Sequence, residues 1–179
     1  GATLDAVQCF DRCCAVTGRR DALPQVWTVD DARVWRAVHV CDGPRDVWLG
    51  ANYVFDAPTL RVGWSSPTHP RRDVDVAPAT ARVVATVKAK RVPNYDPDQY
   101  VCMSGWVRAR DGVTDVPVHA VCRRSTGLTS LERAPPAPCP VWLRVYGAYG
   151  ACSDPGFSTR SLPALNRGVV CVTACARGG

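Results

Sequence analysis

The 179-residue sequence contains no isoleucine, and Lys88 and Lys90 are its only lysines, so nearly all of its 22 cationic residues are arginine. With abundant Val, Ala and Pro, this bias points to a GC-rich gene, as in some large animal DNA viruses, GC-rich bacteria and certain algae. Long apolar runs are also missing. The longest uncharged apolar stretch lies around residues 169–174, far short of the roughly 20 residues that a membrane helix needs. Gly1 is preceded by no initiator Met, basic n-region or apolar h-region, so a signal peptide has been removed or never existed. No N-x-S/T sequon occurs, since Asn52, Asn94 and Asn166 are followed by Tyr-Val, Tyr-Asp and Arg-Gly. N-linked glycans therefore shield no face. The motifs H-E-x-x-H, G-x-S-x-G, G-x-G-x-x-G and the P-loop are absent, which removes the local signatures of metalloproteases, α/β-hydrolases, dinucleotide enzymes and NTPases.

What is present is cysteine. Ten of them, clustered towards both termini with a long gap before Cys102, exceed ordinary cytosolic usage and point to an oxidising compartment, hence a secreted or extracellular location. Cys9/Cys13 and Cys171/Cys175 are C-x3-C pairs that could supply four thiolates to zinc, but six thiols would then remain unexplained. No metal and no cofactor is expected. The net charge of +6 is spread over scattered doublets, Arg19-Arg20, Arg71-Arg72 and Arg123-Arg124, rather than a stripe, so nucleic acid is not an expected partner.

Fifteen prolines and 14 glycines interrupt the chain while valine dominates between them, an all-β pattern. Strands are expected over residues 32–41, 47–55, 59–64, 79–92, 101–108, 113–122, 141–149 and 168–174, with a polar loop over 68–75. Asp111-Gly112 between two β-prone runs predicts a tight type I′ hairpin. Residues 1–23 read as a separate Cys-rich arm, and the Pro-rich run 133–140 as a stiff connector. The expected division is an arm over 1–23, a β-sandwich over 24–124, and a connector with C-terminal strands over 125–179.

Asp96-Pro-Asp-Gln-Tyr-Val-Cys102 resembles the F-strand signature of the immunoglobulin superfamily, in which a Tyr stands two residues before the second inter-sheet Cys. That resemblance implies a disulfide-stapled antiparallel β-sandwich, with Cys102 paired to Cys41, 61 positions earlier, and the Tyr100 hydroxyl bonded to nearby backbone. The sequence departs from the pattern at Asp98 and in lacking a Trp at the usual distance after Cys41, which leaves Tyr53 or Phe55 to fill the core position.

His39, His69 and His119 lie in no catalytic signature; His119 with Asp115 and Ser125 makes a triad only on paper, because strand neighbours do not converge. The expectation is therefore a binding protein rather than an enzyme: a secreted viral decoy or ligand for a host cytokine, chemokine or immune receptor. A structural module of an envelope or cell wall and a small secreted hydrolase are the alternatives. Trp64, Arg71, Arg72 and Arg110 form the expected binding surface, since Trp and Arg are enriched at interface hot spots. The strands around Tyr146 and Tyr149 are the alternative location.

Overall fold

A computed structural model of the chain describes residues 1–178. About half of its residues, 48%, are in β-strands, arranged in three four-stranded sheets, against 7% in helix, so the all-β expectation holds at that level. Among the described residues no helix is long and apolar enough to cross a membrane. Two units divide the chain: residues 1–66 with 70–91, and residues 67–69 with 92–179.

The first unit holds two meanders. β1 (Ala2–Cys9), β2 (Cys13–Arg20), β3 (Leu23–Asp30) and β4 (Trp35–Ala37) form one sheet in chain order. β5 (Asp46–Leu49), β6 (Leu60–Ser66), β7 (His69–Ala77) and β8 (Arg82–Ala89) form the second, again in chain order. Where a separate arm is expected over residues 1–23, β1 and β2 form a hairpin on β3, with a shift in register between Leu4 and Ala6. The cause is visible in β2, whose alternate residues Cys13 and Ala15 are buried with Phe10 and Leu60. The polar loop expected over 68–75 is strand β7. Its charges are matched across and along the sheet: Arg61 donates to Asp75 at 2.6 Å, and Arg71 pairs with Asp73 at 2.9 Å, while Val74 and Val76 turn inwards. Val26 and Val38 meet Val47, Val62, Trp64, Val74 and Val76 in one apolar core. Residues 32–41 supply only the three-residue β4, and Tyr53 and Phe55 are 94% and 60% exposed rather than core.

The second unit carries β9 (Tyr100–Arg108), β10 (Asp115–Arg123), β11 (Val141–Tyr146) and β12 (Val170–Cys175). The sheet order is β11-β12-β10-β9, antiparallel except for the β11/β12 pair, which is parallel. Parallel neighbours need a crossover, here residues 147–169 with a helical turn at Leu162–Leu165 that buries Leu165. Ala120, Cys122, Leu128 and Val170 form this unit's core.

This arrangement replaces the immunoglobulin-like sandwich. Among the described residues no disulfide is formed, and the Cys41–Cys102 bond implied by the resemblance is absent. Cys41 lies outside the strands, against the core of the first unit; Cys102 is on β9 in the second. The motif that prompted the resemblance has another local cause. Asp96 caps a 3-10 turn, accepting from the Asp98 amide at 3.0 Å, and the turn delivers Tyr100 into β9. The Tyr100 hydroxyl donates to the Asn166 side chain at 2.6 Å, not to nearby backbone.

Candidate functional site at the carboxyl ends of β11 and β12

In sheets with parallel strands, ligands bind beyond the carboxyl ends of those strands, where loops can vary without disturbing the ladder. The parallel pairing sets Tyr146 beside Cys175, so the segments 147–153 and 176–178 leave the sheet at the same end. β10 runs antiparallel to β12, with Val118 opposite Ala174, which brings the tip of the β9–β10 hairpin to that end as well.

Backbone contacts join two of these segments, and a side chain ties in the third. The Gly150 amide donates to the Gly178 carbonyl at 3.0 Å, and the Ala151 amide to Ala148 at 3.1 Å. Gly147 is required by proximity: a Cβ there would stand 2.5 Å from the Arg177 carbonyl oxygen. Arg177 then reaches sideways, its Nη1 2.7 Å from Asp111 Oδ2 and 3.2 Å from Thr114 Oγ1. Asp111 also accepts from the Thr114 and Val113 amides at 2.9 and 3.0 Å. These bonds, the Thr114 amide foremost, hold its carboxyl well below the usual carboxylate range.

The hairpin is where the sequence places it, but the turn differs. Ala109 donates to Thr114 at 2.8 Å and only Gly112 of the Asp-Gly pair has positive φ. The loop is therefore longer than a two-residue type I′ turn, because the Asp111 side chain takes up amides that such a turn would leave to the opposite strand.

Tyr149 stands out at this end. Its φ is +59°, a backbone conformation a bulky residue rarely adopts, and its side chain is 97% exposed. Strain of this kind concentrates at functional sites because surrounding structure has to hold it. Here Gly147 and Gly150 flank it, with Gly150 also at positive φ, and the loop is tied down through Gly178. A phenol that buries nothing is held at the mouth of the sheet, a hydrogen-bond donor offered to whatever approaches. Sequence reasoning reached Tyr149 only as the alternative location; the legible signal was the spacing Tyr146-Gly-Ala-Tyr149-Gly150.

The expected binding surface does not assemble in this way. Trp64 is 5% exposed and part of the first unit's core, so it is no exposed anchor. Arg72 covers its ring at 5.6 Å and Arg71 covers Trp48 at 5.2 Å. Arg110 is exposed on the hairpin of the second unit. Three of the four residues are thus strand residues of one unit and the fourth a loop residue of the other.

His119, on β10, is buried, and neither ring nitrogen has a hydrogen-bond partner among the described residues. Burial pushes its pKa below the ordinary imidazole value, with Asp154 opposing. A His depressed in the folded state stays neutral where the unfolded chain's imidazole takes up a proton, so stability falls as pH drops below about 6.5. His119→Leu is expected to remove that component, and the difference in urea midpoint between variant and parent should widen in the variant's favour between pH 7.5 and 5.5. Parallel pH profiles would show that His119 does not titrate differently on folding. His69 Nδ1 is 3.0 Å from Thr68 Oγ1, and His39 Nε2 is 3.7 Å from Asp42.

No protein-family profile matches the chain. It is 30% identical over 176 residues to dipeptidyl aminopeptidase BI of Pseudoxanthomonas mexicana, a match covering 98% of this chain and 23% of that protein. Protease 2 of Moraxella lacunata is 30% identical over 164 residues, covering 92% and 22%. Among solved structures, oligopeptidase B from Trypanosoma brucei with covalently bound antipain superposes with a TM-score of 0.82 at 31% identity, over 99% of this chain and 25% of that one. Oligopeptidase B from Leishmania major gives 0.85 at 26% identity, again over 99% and 25%. These similarities overturn both the immunoglobulin resemblance and the reading as a viral, non-enzymatic ligand for host cytokines or receptors: the relatives are peptidases. The chain spans about a quarter of the length of the proteins it resembles.

Proposed function

We propose that this chain is part of a serine peptidase of the kind its relatives exemplify, acting on peptide substrates. The observation that carries this reading is similarity along the entire chain, in sequence and in structure, to peptidases from bacteria and trypanosomatids. The two meanders of the first unit have the four-stranded, sequential order of β-propeller blades. The second unit, with its parallel pair, is the part we assign to the catalytic side. A covalent inhibitor complex in the trypanosomal relative fits a nucleophile that forms an acyl intermediate. His119, the buried histidine, has no hydrogen-bond partner among the described residues, and we assign nucleophile and base to the part of the relatives' length that this chain does not span. The role left to residues 147–150 is to present the Tyr149 hydroxyl to the substrate carbonyl as negative charge develops on its oxygen.

Exposed apolar edges support a larger whole. β8 shows Val83, Val84 and Val87 to solvent, and β11 shows Val141, Trp142, Leu143 and Val145. Edge strands of this composition are normally covered by further chain.

A chimera tests the reading: residues 1–179 replace the matching quarter of the dipeptidyl aminopeptidase, and hydrolysis of fluorogenic dipeptidyl substrates is followed. Retained turnover together with labelling by a fluorophosphonate is the expected result. A chimera that melts cooperatively, reacts with the fluorophosphonate and yet hydrolyses none of the peptides would overturn it.

A further inference from the structure

Cys9 and Cys14 face each other across the β1–β2 hairpin, and their Sγ atoms are 2.9 Å apart. We propose that they form a dithiol modification site, which a small-molecule disulfide such as oxidised glutathione closes into a cross-strand disulfide.

The backbone register favours this bond. The Phe10 amide donates to the Cys13 carbonyl at 2.8 Å, so Phe10 and Cys13 are a hydrogen-bonded pair. Hydrogen-bonded and non-hydrogen-bonded pairs alternate along an antiparallel ladder, which makes Cys9 and Cys14 a non-hydrogen-bonded pair, the kind whose Cα atoms approach to about 4.5 Å with side chains closest. That separation is within the range that a disulfide spans, and the sulfurs need to close by only about 0.9 Å. Alternation also sorts the three neighbouring thiols. Cys13 points to the other face, buried with Phe10, Ala15 and Leu60, while Cys9 is exposed and Cys14 half-buried.

Cys9 is the accessible thiol and therefore the attacking one. Its thiol gives a proton to solvent, and the thiolate attacks one sulfur of oxidised glutathione. The S–S bond breaks and a glutathione thiolate leaves to take up a proton. Cys14 then loses its proton and attacks the Cys9 sulfur of the mixed disulfide, expelling the second glutathione. Two protein thiols have been oxidised and one glutathione disulfide reduced to two thiols. In the dithiol, the hydrogen bond to Cys9, with burial second, pushes the Cys14 thiol up to about 11. Once Cys9 carries glutathione that bond is gone, and the closing step runs through the Cys14 thiolate, so its rate should rise with pH between about 7 and 9.

The test treats the purified protein with oxidised glutathione and maps its peptides without reduction. Expected is a Cys9–Cys14 linked peptide two hydrogens lighter, with no glutathione retained at either residue. Cys14→Ser should trap one glutathione on Cys9, Cys9→Ser should give neither product, and Cys13→Ser should react like the parent. Since Cys9 and Cys14 bury little, circular dichroism of the serine variants should match the parent. A link from Cys9 to Cys13, a mixed disulfide on Cys9 that persists in the unsubstituted protein, or two unmodified thiols would each overturn the proposal.

Discussion

Replacing Tyr149 by Phe in the peptidase chimera is expected to lower kcat by a factor on the order of 10² to 10³ with KM within about two-fold of the parent. The substitution removes one oxygen and keeps the ring. Tyr149 is 97% exposed, so neither packing nor the fold depends on that oxygen. In the role proposed for it, the hydroxyl that is lost would donate to charge that exists only while the substrate carbonyl is being attacked, and such a contact strengthens between ground state and transition state. A loss confined to KM would make Tyr149 a binding contact. Unchanged kinetics would take the loop 147–150 out of the reaction. The geometry also specifies how the loop should fail. Gly147→Ala disturbs the approach to the Arg177 carbonyl and so mispositions the same hydroxyl without removing it.

Tyr100→Ala should destabilise the fold by about 3 to 5 kcal/mol, the range for truncating a large buried aromatic, read as a lowered urea midpoint. Tyr100 is 6% exposed, stacks on Tyr95 with centroids 5.1 Å apart, and lies under the Arg123 guanidinium. Tyr95 in turn meets Phe157 edge to face at 5.0 Å, so the truncation opens a cavity at the end of an aromatic row and takes away the ring on which Tyr95 stacks. Tyr100→Phe keeps the row and loses only the bond to Asn166, at a cost of about 1 kcal/mol. A Phe variant as unstable as the Ala variant would place the energy in the hydrogen bond rather than the packing.

The same tyrosine shows what the sequence could and could not reveal. That Tyr100 is buried at the start of a strand is readable from Asp96 and Pro97, because a capped turn followed by β-prone residues has a local cause. Which protein architecture surrounds it is not local. Asp-x-Asp-x-Tyr-x-Cys looks alike whether the strand enters a sandwich or the sheet seen here. The β9–β10 hairpin was legible for the same reason, since Gly112 signals a turn, whereas the turn type rests on where the Asp111 carboxylate points. β7 was missed because its arginines and aspartates read as solvated loop, although each acid is matched by a neighbouring arginine. The cysteines misled most. Their number suggested a disulfide framework, yet Cys13 and Cys122 serve as small apolar core residues, a use of thiols that composition alone does not separate from bonding. The candidate site at the end of the second sheet escaped because it is assembled from three segments, 109–114, 147–153 and 176–178, that meet only once β12 has paired with two neighbours.

That pairing order has a consequence for folding. β12 follows β9, β10 and β11 in the sequence but occupies an inner position, between β10 and β11. Each meander of the first unit can grow hairpin by hairpin as it is synthesised, because every new strand pairs with the one just made. The second sheet cannot. Until residues 170–175 arrive, β10 has one open edge and β11, apolar but for Arg144, has no strand partner among the described residues. Non-local strand insertion of this kind is slow and leaves sticky edges exposed. Nascent or refolding chains are therefore most vulnerable to aggregation in the interval when β11 exists and β12 does not, and a chain truncated before Val170 inherits that vulnerability permanently.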